Sequence, residues 1–152
     1  MFTFTRKSKT RKQSNVKRRS SSKGYVRNFE EEVVLKFIEM LNTVKLFHWH
    51  TASFPIHKAT DELYESLNKY VDEFVEAMLG KAPTRFNLTR VGSIKIHDFS
   101  RPEQFKQKLE EYKVFLINIT DKLDQTLSSD LLNIRDEILS ALNKTTYLMT
   151  LH

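Results

Sequence analysis

Apolar residues recur at three- and four-residue steps along four stretches of the chain, with polar residues between them. This period places the apolar side chains on one face of a helix, so it predicts four amphipathic helices. The four stripes are Val33, Val34, Phe37, Ile38, Leu41 and Val44; Leu63, Leu67, Tyr70, Val71, Phe74 and Met78; Phe105, Leu109, Tyr112, Leu116, Ile119 and Leu123; and Leu131, Ile134, Ile138, Leu142, Thr145 and Leu148. Four such helices predict an all-α fold, a four-helix bundle.

Residues that favour helix ends bound the first two stretches. Asn28 is a good N-cap, and the three glutamates after it favour the positive end of a helix dipole. The first helix is therefore predicted to run from Asn28 to about His50. The second is predicted to run from about Pro55 to Leu79, with Gly80 as the residue after its end.

The third and fourth helices carry similar signals. Ser100 is followed by Pro102 and Glu103, which predicts a cap, a first-turn proline and an acidic residue in the first turn. Ser128 or Ser129 is predicted to start the last helix.

Residues 81–100 show no helical period and contain Pro83 and Gly92. A connection of about twenty residues is long for a compact domain. It is expected if the second and third helices run parallel, because the chain must then cross the length of the bundle. We therefore predict a long crossover between helices 2 and 3.

Charge divides the chain into two parts. Residues 1–27 hold ten of the 25 basic residues and none of the 19 acidic ones, so residues 28–152 carry a net charge of −4. The basic segment has few apolar residues and is predicted to be a disordered tail, and residues 28–152 are predicted to form the helical domain. The absence of cysteine excludes disulfides, thiolate metal sites and a cysteine nucleophile. No apolar run is long enough for a membrane span, so we expect no membrane association.

Candidate metal ligands cluster in the second helix. His57 and Asp61 are four residues apart, as are Asp72 and Glu76, and eleven residues separate Asp61 from Asp72. At 3.6 residues per turn all four point to one side of the helix, opposite its apolar stripe. His48, near the end of the preceding helix, is a fifth candidate.

One helix cannot close a metal site with both pairs. Eleven residues place Asp61 about 16 Å from Asp72 along the axis, whereas a transition metal lies about 2 Å from each ligand atom. Two antiparallel copies related by a two-fold axis bring the first pair of each opposite the second pair of the other. The resulting set of carboxylates and imidazoles suits Fe(II), Mn(II) or Zn(II).

These residues resemble the ferroxidase motif of the Dps mini-ferritins, DNA-protecting members of the ferritin-like superfamily. The similarity covers roughly residues 28 to 152. It rests on His48-Trp49, His57-x-x-x-Asp61, Asp72-x-x-x-Glu76 and, in the last helix, Asp130-Leu131-Leu132, Lys144-Thr145-Thr146-Tyr147-Leu148 and Leu151-His152. Two departures are a shorter segment between His48 and His57 and Ala77, where the family has a basic residue.

The resemblance implies a ferritin-like four-helix bundle that binds a pair of irons, a di-iron site, between two subunits. His48, His57 and Asp61 of one subunit and Asp72 and Glu76 of the next would be the ligands. The implied activity is oxidation of Fe(II) by hydrogen peroxide or O₂, with storage of ferric iron in a homo-oligomer, by analogy a dodecamer. Trp49 would lie near the iron.

Other residues are weaker candidates for the metal site. Trp49 is expected to pack between subunits or against the second helix, and Glu65 is a further carboxylate near the candidate ligands. His50, His97 and the terminal His152 have no assigned role. No helix contains Glu-x-x-His, which argues against the di-iron centre that larger ferritin-like bundles build within one subunit.

The basic tail has two interpretations. Ten cations in 27 residues can neutralise phosphates without sequence preference, as in a DNA-binding arm. The alternative is targeting, since Lys17-Arg18-Arg19 resembles a nuclear import signal and the acid-free start resembles a transit peptide. The candidate nucleic-acid-binding residues are Arg6, Lys7, Lys9, Arg11, Lys12, Lys17, Arg18, Arg19, Lys23 and Arg27.

Two functions therefore stay open. One is a Dps-like iron oxidase and store tethered to DNA. The other is a catalytically inactive ferritin-like bundle that packages nucleic acid. Both predict an intracellular protein of the cytoplasm, nucleoid or nucleus, or of a virus particle.

Overall fold

The structure is a computed structural model that describes residues 28–83 and 85–151. Over these residues the backbone forms four α-helices and one short 3₁₀ helix, without a strand. The elements are α1 (Phe29–His50), α2 (Phe54–Lys81), α3 (Pro102–Ile119), the 3₁₀ helix Thr120–Lys122, and α4 (Ser129–Leu148). An all-α chain with four helices is thus confirmed. None of the helices in the described ranges has the length and apolar character needed to cross a membrane.

The predicted start of α1 is confirmed. Asn28 has an extended backbone, and its side-chain oxygen accepts a hydrogen bond of 2.9 Å from the backbone N–H of Glu31. Ser128 is the residue before α4, as predicted, but its side chain makes no capping hydrogen bond.

Three predicted helix boundaries are wrong. Gly80 lies inside α2, whose last turn is closed by the N–H of Ala82 bonding to Met78 O at 3.1 Å. The N-cap of α3 is Arg101, because a proline at position 102 favours extended backbone in the residue before it. The third helix stops at Ile119 and continues only as the 3₁₀ helix. There Arg135 of α4 donates to Leu116 O at 3.3 Å and to Thr120 Oγ1 at 2.5 Å.

The four stripes supply the core. The rings of Phe37 and Phe74 meet edge to face at 5.3 Å between α1 and α2, and those of Phe47 and Phe105 stack at 4.0 Å between α1 and α3. Some residues of the stripes are only partly buried and pack against the edge of this core: Ile38, Leu41, Tyr70, Leu123 and Ile134. Burial of this apolar surface is the main source of stability.

Contacts between helices fix their directions. Lys122, just after α3, has its Nζ atom 2.7 Å from Glu32, near the start of α1. Phe105, near the start of α3, stacks on Phe47, near the end of α1. The helix α3 is therefore antiparallel to α1. The pairs Phe37–Phe74 and His48–His57 likewise make α2 antiparallel to α1. Consequently α2 and α3 run in the same direction.

The connection between α2 and α3 contacts α1. His97 Nε2 lies 3.2 Å from Glu39 Oε1, and Asp98 Oδ1 lies 2.7 Å from His50 Nδ1. The end of the connection therefore lies beside the second half of α1, where α3 begins.

A polar cluster is enclosed within the bundle around Glu39, which is 8% exposed. Its Oε1 atom lies 3.1 Å from Lys108 Nζ and accepts from Tyr112 Oη at 3.3 Å, in addition to the His97 contact. Tyr112 also donates to Thr43 Oγ1 at 3.0 Å. Paired carboxylate, ammonium and hydroxyl groups can be buried here because each has a partner.

Candidate metal site

The end of α1 and the start of α2 bring two predicted ligands together. Only residues 51–53 separate the two helices, and Pro55 lies in the first turn of α2. The imidazole rings of His48 and His57 consequently stack, with centroids 4.0 Å apart and planes 23° apart. His48 is 6% exposed and His57 is partly buried.

The two histidines exchange hydrogen bonds with each other's backbone. His48 Nδ1 lies 3.1 Å from His57 O, and His57 Nδ1 lies 3.0 Å from His48 O. A carbonyl oxygen can only accept, so Nδ1 must carry the proton in both neutral rings. The lone pair is therefore on Nε2 of each ring, the arrangement found in histidines that bind metals through Nε2.

Asp61 lies next to this pair, one turn further along α2. Its Oδ1 atom is 3.6 Å from His48 Nε2, too far for a direct hydrogen bond. Two donor atoms that each lie about 2.1 Å from one metal are about 3 to 4 Å apart. The separation of Nε2 and Oδ1 therefore suits a shared cation.

The other two predicted ligands lie elsewhere on the same helix. Asp72 and Glu76 are exposed, and the rise of α2 puts Asp72 about 16 Å from Asp61. Over residues 28–83 and 85–151, no three His, Asp or Glu side chains of the chain are grouped so as to hold a metal. Within one chain His48 thus lies next to both His57 and Asp61, whereas Asp72 and Glu76 lie further along α2.

Large apolar side chains are exposed beside the histidines. Trp49 is 65% exposed and Phe54 is 74% exposed, one on each side of the α1–α2 turn. Lys45 Nζ lies 4.4 Å from the centre of the Tyr64 ring and 5.8 Å from that of Trp49. Trp49 therefore does not pack into the core of its own chain, and Lys45 covers one part of its ring.

The remaining residues of interest have different surroundings. Glu65 is exposed on α2, between the two ligand pairs. His50 bonds to Asp98, and His97 bonds to the buried Glu39. His97 therefore belongs to the polar cluster around Glu39. His152 and the ten basic residues of the tail lie outside the described residues.

Thr60 belongs to the site, although no motif pointed to it. It is 0% exposed, and its hydroxyl oxygen lies 3.4 Å from His48 Nδ1 and 3.1 Å from His57 O. The sequence signal is weak: a small hydroxyl residue three positions after a candidate histidine, on the same side of a helix.

Comparison with known proteins gives a family and a distant relative. The chain belongs to a family of unknown function (DUF5856), whose family model matches residues 48–149. It is also similar to the DNA protection during starvation protein of Helicobacter pylori strain J99, with 31% identity over 98 residues. This match covers 58% of the chain and 65% of the relative, just under two thirds of the latter. No solved structure matches the chain. The similarity indicates a distant Dps-like relationship.

Proposed function

We propose that this protein is a Dps-like iron-binding protein that oxidises Fe(II) at a site shared by two subunits and stores the ferric product. The observation that carries the proposal is the pair of Nδ1–carbonyl hydrogen bonds, which leaves Nε2 of His48 and His57 as the ligand nitrogens. Asp61, 3.6 Å from His48 Nε2, supplies an anionic oxygen to the same space.

The donor set fits iron. Two neutral imidazoles and carboxylate oxygens, without thiolates, suit Fe(II) and also Mn(II) or Zn(II). Carboxylates bind more strongly as the cation charge rises, so Asp61, Asp72 and Glu76 would stabilise the ferric product more than the ferrous substrate. The imidazoles add no charge to the site.

A second copy of the chain is required to complete the ligand set. Asp72 and Glu76 lie too far along α2 to share a metal with Asp61 of the same chain. Two α2 helices packed antiparallel about a two-fold axis would bring Asp72 and Glu76 of one copy opposite Asp61 of the other. The exposed rings of Trp49 and Phe54 beside the histidines provide apolar surface for such a contact. By analogy with Dps proteins the assembly is a dodecamer.

The helix directions support a ferritin-like bundle. α2 and α3 both run antiparallel to α1, and the connection between them makes its contacts along α1. We propose that residues 82–101 are the long crossover of that fold.

In the proposed reaction, iron is the substrate. Two Fe(II) ions each lose one electron, and one hydrogen peroxide molecule takes both electrons and two protons to give two water molecules. With O₂ as oxidant, the first two electrons give peroxide. The protein binds both metals and keeps the oxidant close to them.

The test is an anaerobic Fe(II) titration followed by peroxide, with absorbance of the ferric product as the readout. Asp61→Ala/Glu76→Ala should lose most Fe(II) binding and fast oxidation. The matched control is Glu62→Ala/Glu73→Ala, which removes two exposed carboxylates of the same helix that pair with Lys144 at 3.3 Å and Lys69 at 4.0 Å. Equal behaviour of the two double variants would reject catalysis at Asp61 and Glu76.

The second candidate function is nucleic-acid packaging by a bundle without oxidase activity. It is favoured by the ten cations of residues 1–27, which contrast with a net charge of −4 in residues 28–152. Each phosphate neutralised should contribute a slope of about −0.9 to the dependence of log K on log salt for duplex DNA. Gel shifts across a salt series should show this dependence for the full chain and lose it for residues 28–152. Unchanged binding by the shortened chain would exclude the tail as the DNA-binding element, and the targeting interpretation would then be preferred.

A further inference from the structure

Thr60 lies beneath the two stacked histidines in the first turns of α2. Its side-chain oxygen is 2.8 Å from Ile56 O, 3.1 Å from His57 O and 3.4 Å from His48 Nδ1. The residue is completely buried. A hydroxyl group inside the protein therefore contacts one candidate ligand directly and the backbone of the other.

The single hydroxyl proton limits what these contacts can be. Both carbonyl oxygens only accept, so Thr60 donates to one of them, with Ile56 O the nearer. The lone pairs of Oγ1 then remain for His48 Nδ1–H. That N–H group lies between two acceptors, His57 O at 3.1 Å and Thr60 Oγ1 at 3.4 Å. Protonation of His48 on Nε2 would place an unprotonated Nδ1 against His57 O, which cannot donate, and Thr60 could donate to it only by giving up its bond to Ile56 O.

We propose that Thr60 is a positioning residue: it fixes the His48 ring with Nδ1 protonated, so that Nε2 points toward Asp61 and is free to bind a divalent cation. The proposal rests on the function proposed above and deepens it. Partners that orient a ligating histidine commonly change metal affinity by 10- to 100-fold when removed. Because His57 O remains as an acceptor, the loss expected for Thr60 is near the lower end, about tenfold.

A bond from a threonine hydroxyl to a carbonyl one turn earlier is also an ordinary feature of helices. Thr145 of α4 provides the comparison, since it is 3% exposed and donates to Ala141 O at 3.0 Å. Over the part of the chain that the structure describes, the hydrogen bond of its hydroxyl goes to α4 and not to His48 or His57. Thr145→Val therefore removes a buried helical hydroxyl of the same kind without touching the candidate site.

The experiment uses full-length Thr60→Val, Thr60→Ser and Thr145→Val proteins, with Co(II) as the probe and visible absorption as the readout. Thr60→Val should bind Co(II) about tenfold more weakly, whereas Thr60→Ser and Thr145→Val should stay within about twofold of the parent protein. The thermal unfolding midpoints of Thr60→Val and Thr145→Val should be similar. Equal Co(II) affinity of Thr60→Val and Thr145→Val would overturn the proposal.

A second readout separates this inference from the proposed function. Nitrogen chemical shifts of ¹⁵N-labelled histidines in the metal-free protein report which ring nitrogen is protonated. The His48 signals, identified by their loss in His48→Asn, should show Nδ1–H in the parent and a measurable Nε2–H fraction in Thr60→Val, where Nδ1–H keeps His57 O but loses Thr60 Oγ1. Unchanged shifts would refute the role of Thr60. A parent protein with the expected shifts but no Co(II) uptake would instead refute the metal site while leaving the positioning role intact.

Discussion

Removal of Lys108 should destabilise the protein strongly, because it is a main counter-ion of the buried Glu39. Lys108 Nζ lies 3.1 Å from Glu39 Oε1, and the two side chains are 10% and 11% exposed. Burial by itself raises the pKa of Glu39, but hydrogen bonds from Lys36 and Lys108 outweigh it and leave the pKa below its ordinary value. Glu39 is thus charged in the folded protein at neutral pH, and Lys108→Met takes away one of its cations.

The size of the effect follows from what remains around the carboxylate. Breaking a buried ion pair by removing one partner typically costs about 3–5 kcal/mol. Glu39 keeps Lys36 at 2.8 Å and the Tyr112 hydroxyl at 3.3 Å. We therefore expect Lys108→Met to lower the free energy of unfolding by about 2–3 kcal/mol. The double variant Lys108→Met/Glu39→Leu should recover much of the lost free energy of unfolding, with a coupling energy of about 2 kcal/mol between the two positions.

The assay is urea unfolding of the parent, the two single variants and the double variant. Lys113→Met is the matched control, because Lys113 is equally buried but pairs with the exposed Glu110 at 2.7 Å. Loss of this ion pair in Lys113→Met should lower the free energy of unfolding by less than about 1 kcal/mol. A coupling energy near zero, or a Lys108 variant as stable as the control, would refute the reasoning.

Two further predictions concern pH and packing. Burial, helped by the charge of Lys108, lowers the pKa of His97 below its ordinary value of 6.5, so the unfolded chain binds more protons there in mildly acidic solution. Stability should therefore decline as pH falls through about 6.5, and urea midpoints of His97→Gln should show a smaller decline; an identical slope would contradict this. Leu67→Ala, at a residue that is 0% exposed, should cost about 3 kcal/mol in urea unfolding. Leu127→Ala, at a 74% exposed residue, should cost less than about 0.5 kcal/mol, and similar costs at both positions would contradict the assigned core.

The helices could be predicted because their causes are local. Apolar period and the side chain of Asn28 act within a few residues, and α1 begins where they indicate. Gly80 does not end α2 as predicted, since α2 continues to Lys81, whose Nζ donates to Leu127 O at 2.7 Å, a contact with a distant part of the chain. Where α3 ends likewise depends on Arg135 of another helix.

The candidate site was predictable only in part for the same reason. Four-residue spacing places His57 and Asp61 on one face of α2 whatever the rest of the chain does. The stacking of His48 on His57 depends on how tightly residues 51–53 turn, and the hydroxyl of Thr60 becomes relevant only once that stack exists. Glu39 and His97 meet through the packing of the connection on α1, which leaves no periodic signal in the sequence.

The most direct test of the shared site is subunit complementation between Asp61→Ala and Glu76→Ala. Each variant alone lacks a ligand at every site. In a mixed two-fold pair, one site carries both substitutions and the other carries none. Refolding the two variants together in equal amounts should give about half mixed pairs, and hence about a quarter of the sites intact. The account predicts Fe(II) oxidation at about a quarter of the parent rate per subunit, against almost none for either variant alone. A mixture no more active than its two components would contradict a site built from two copies of α2.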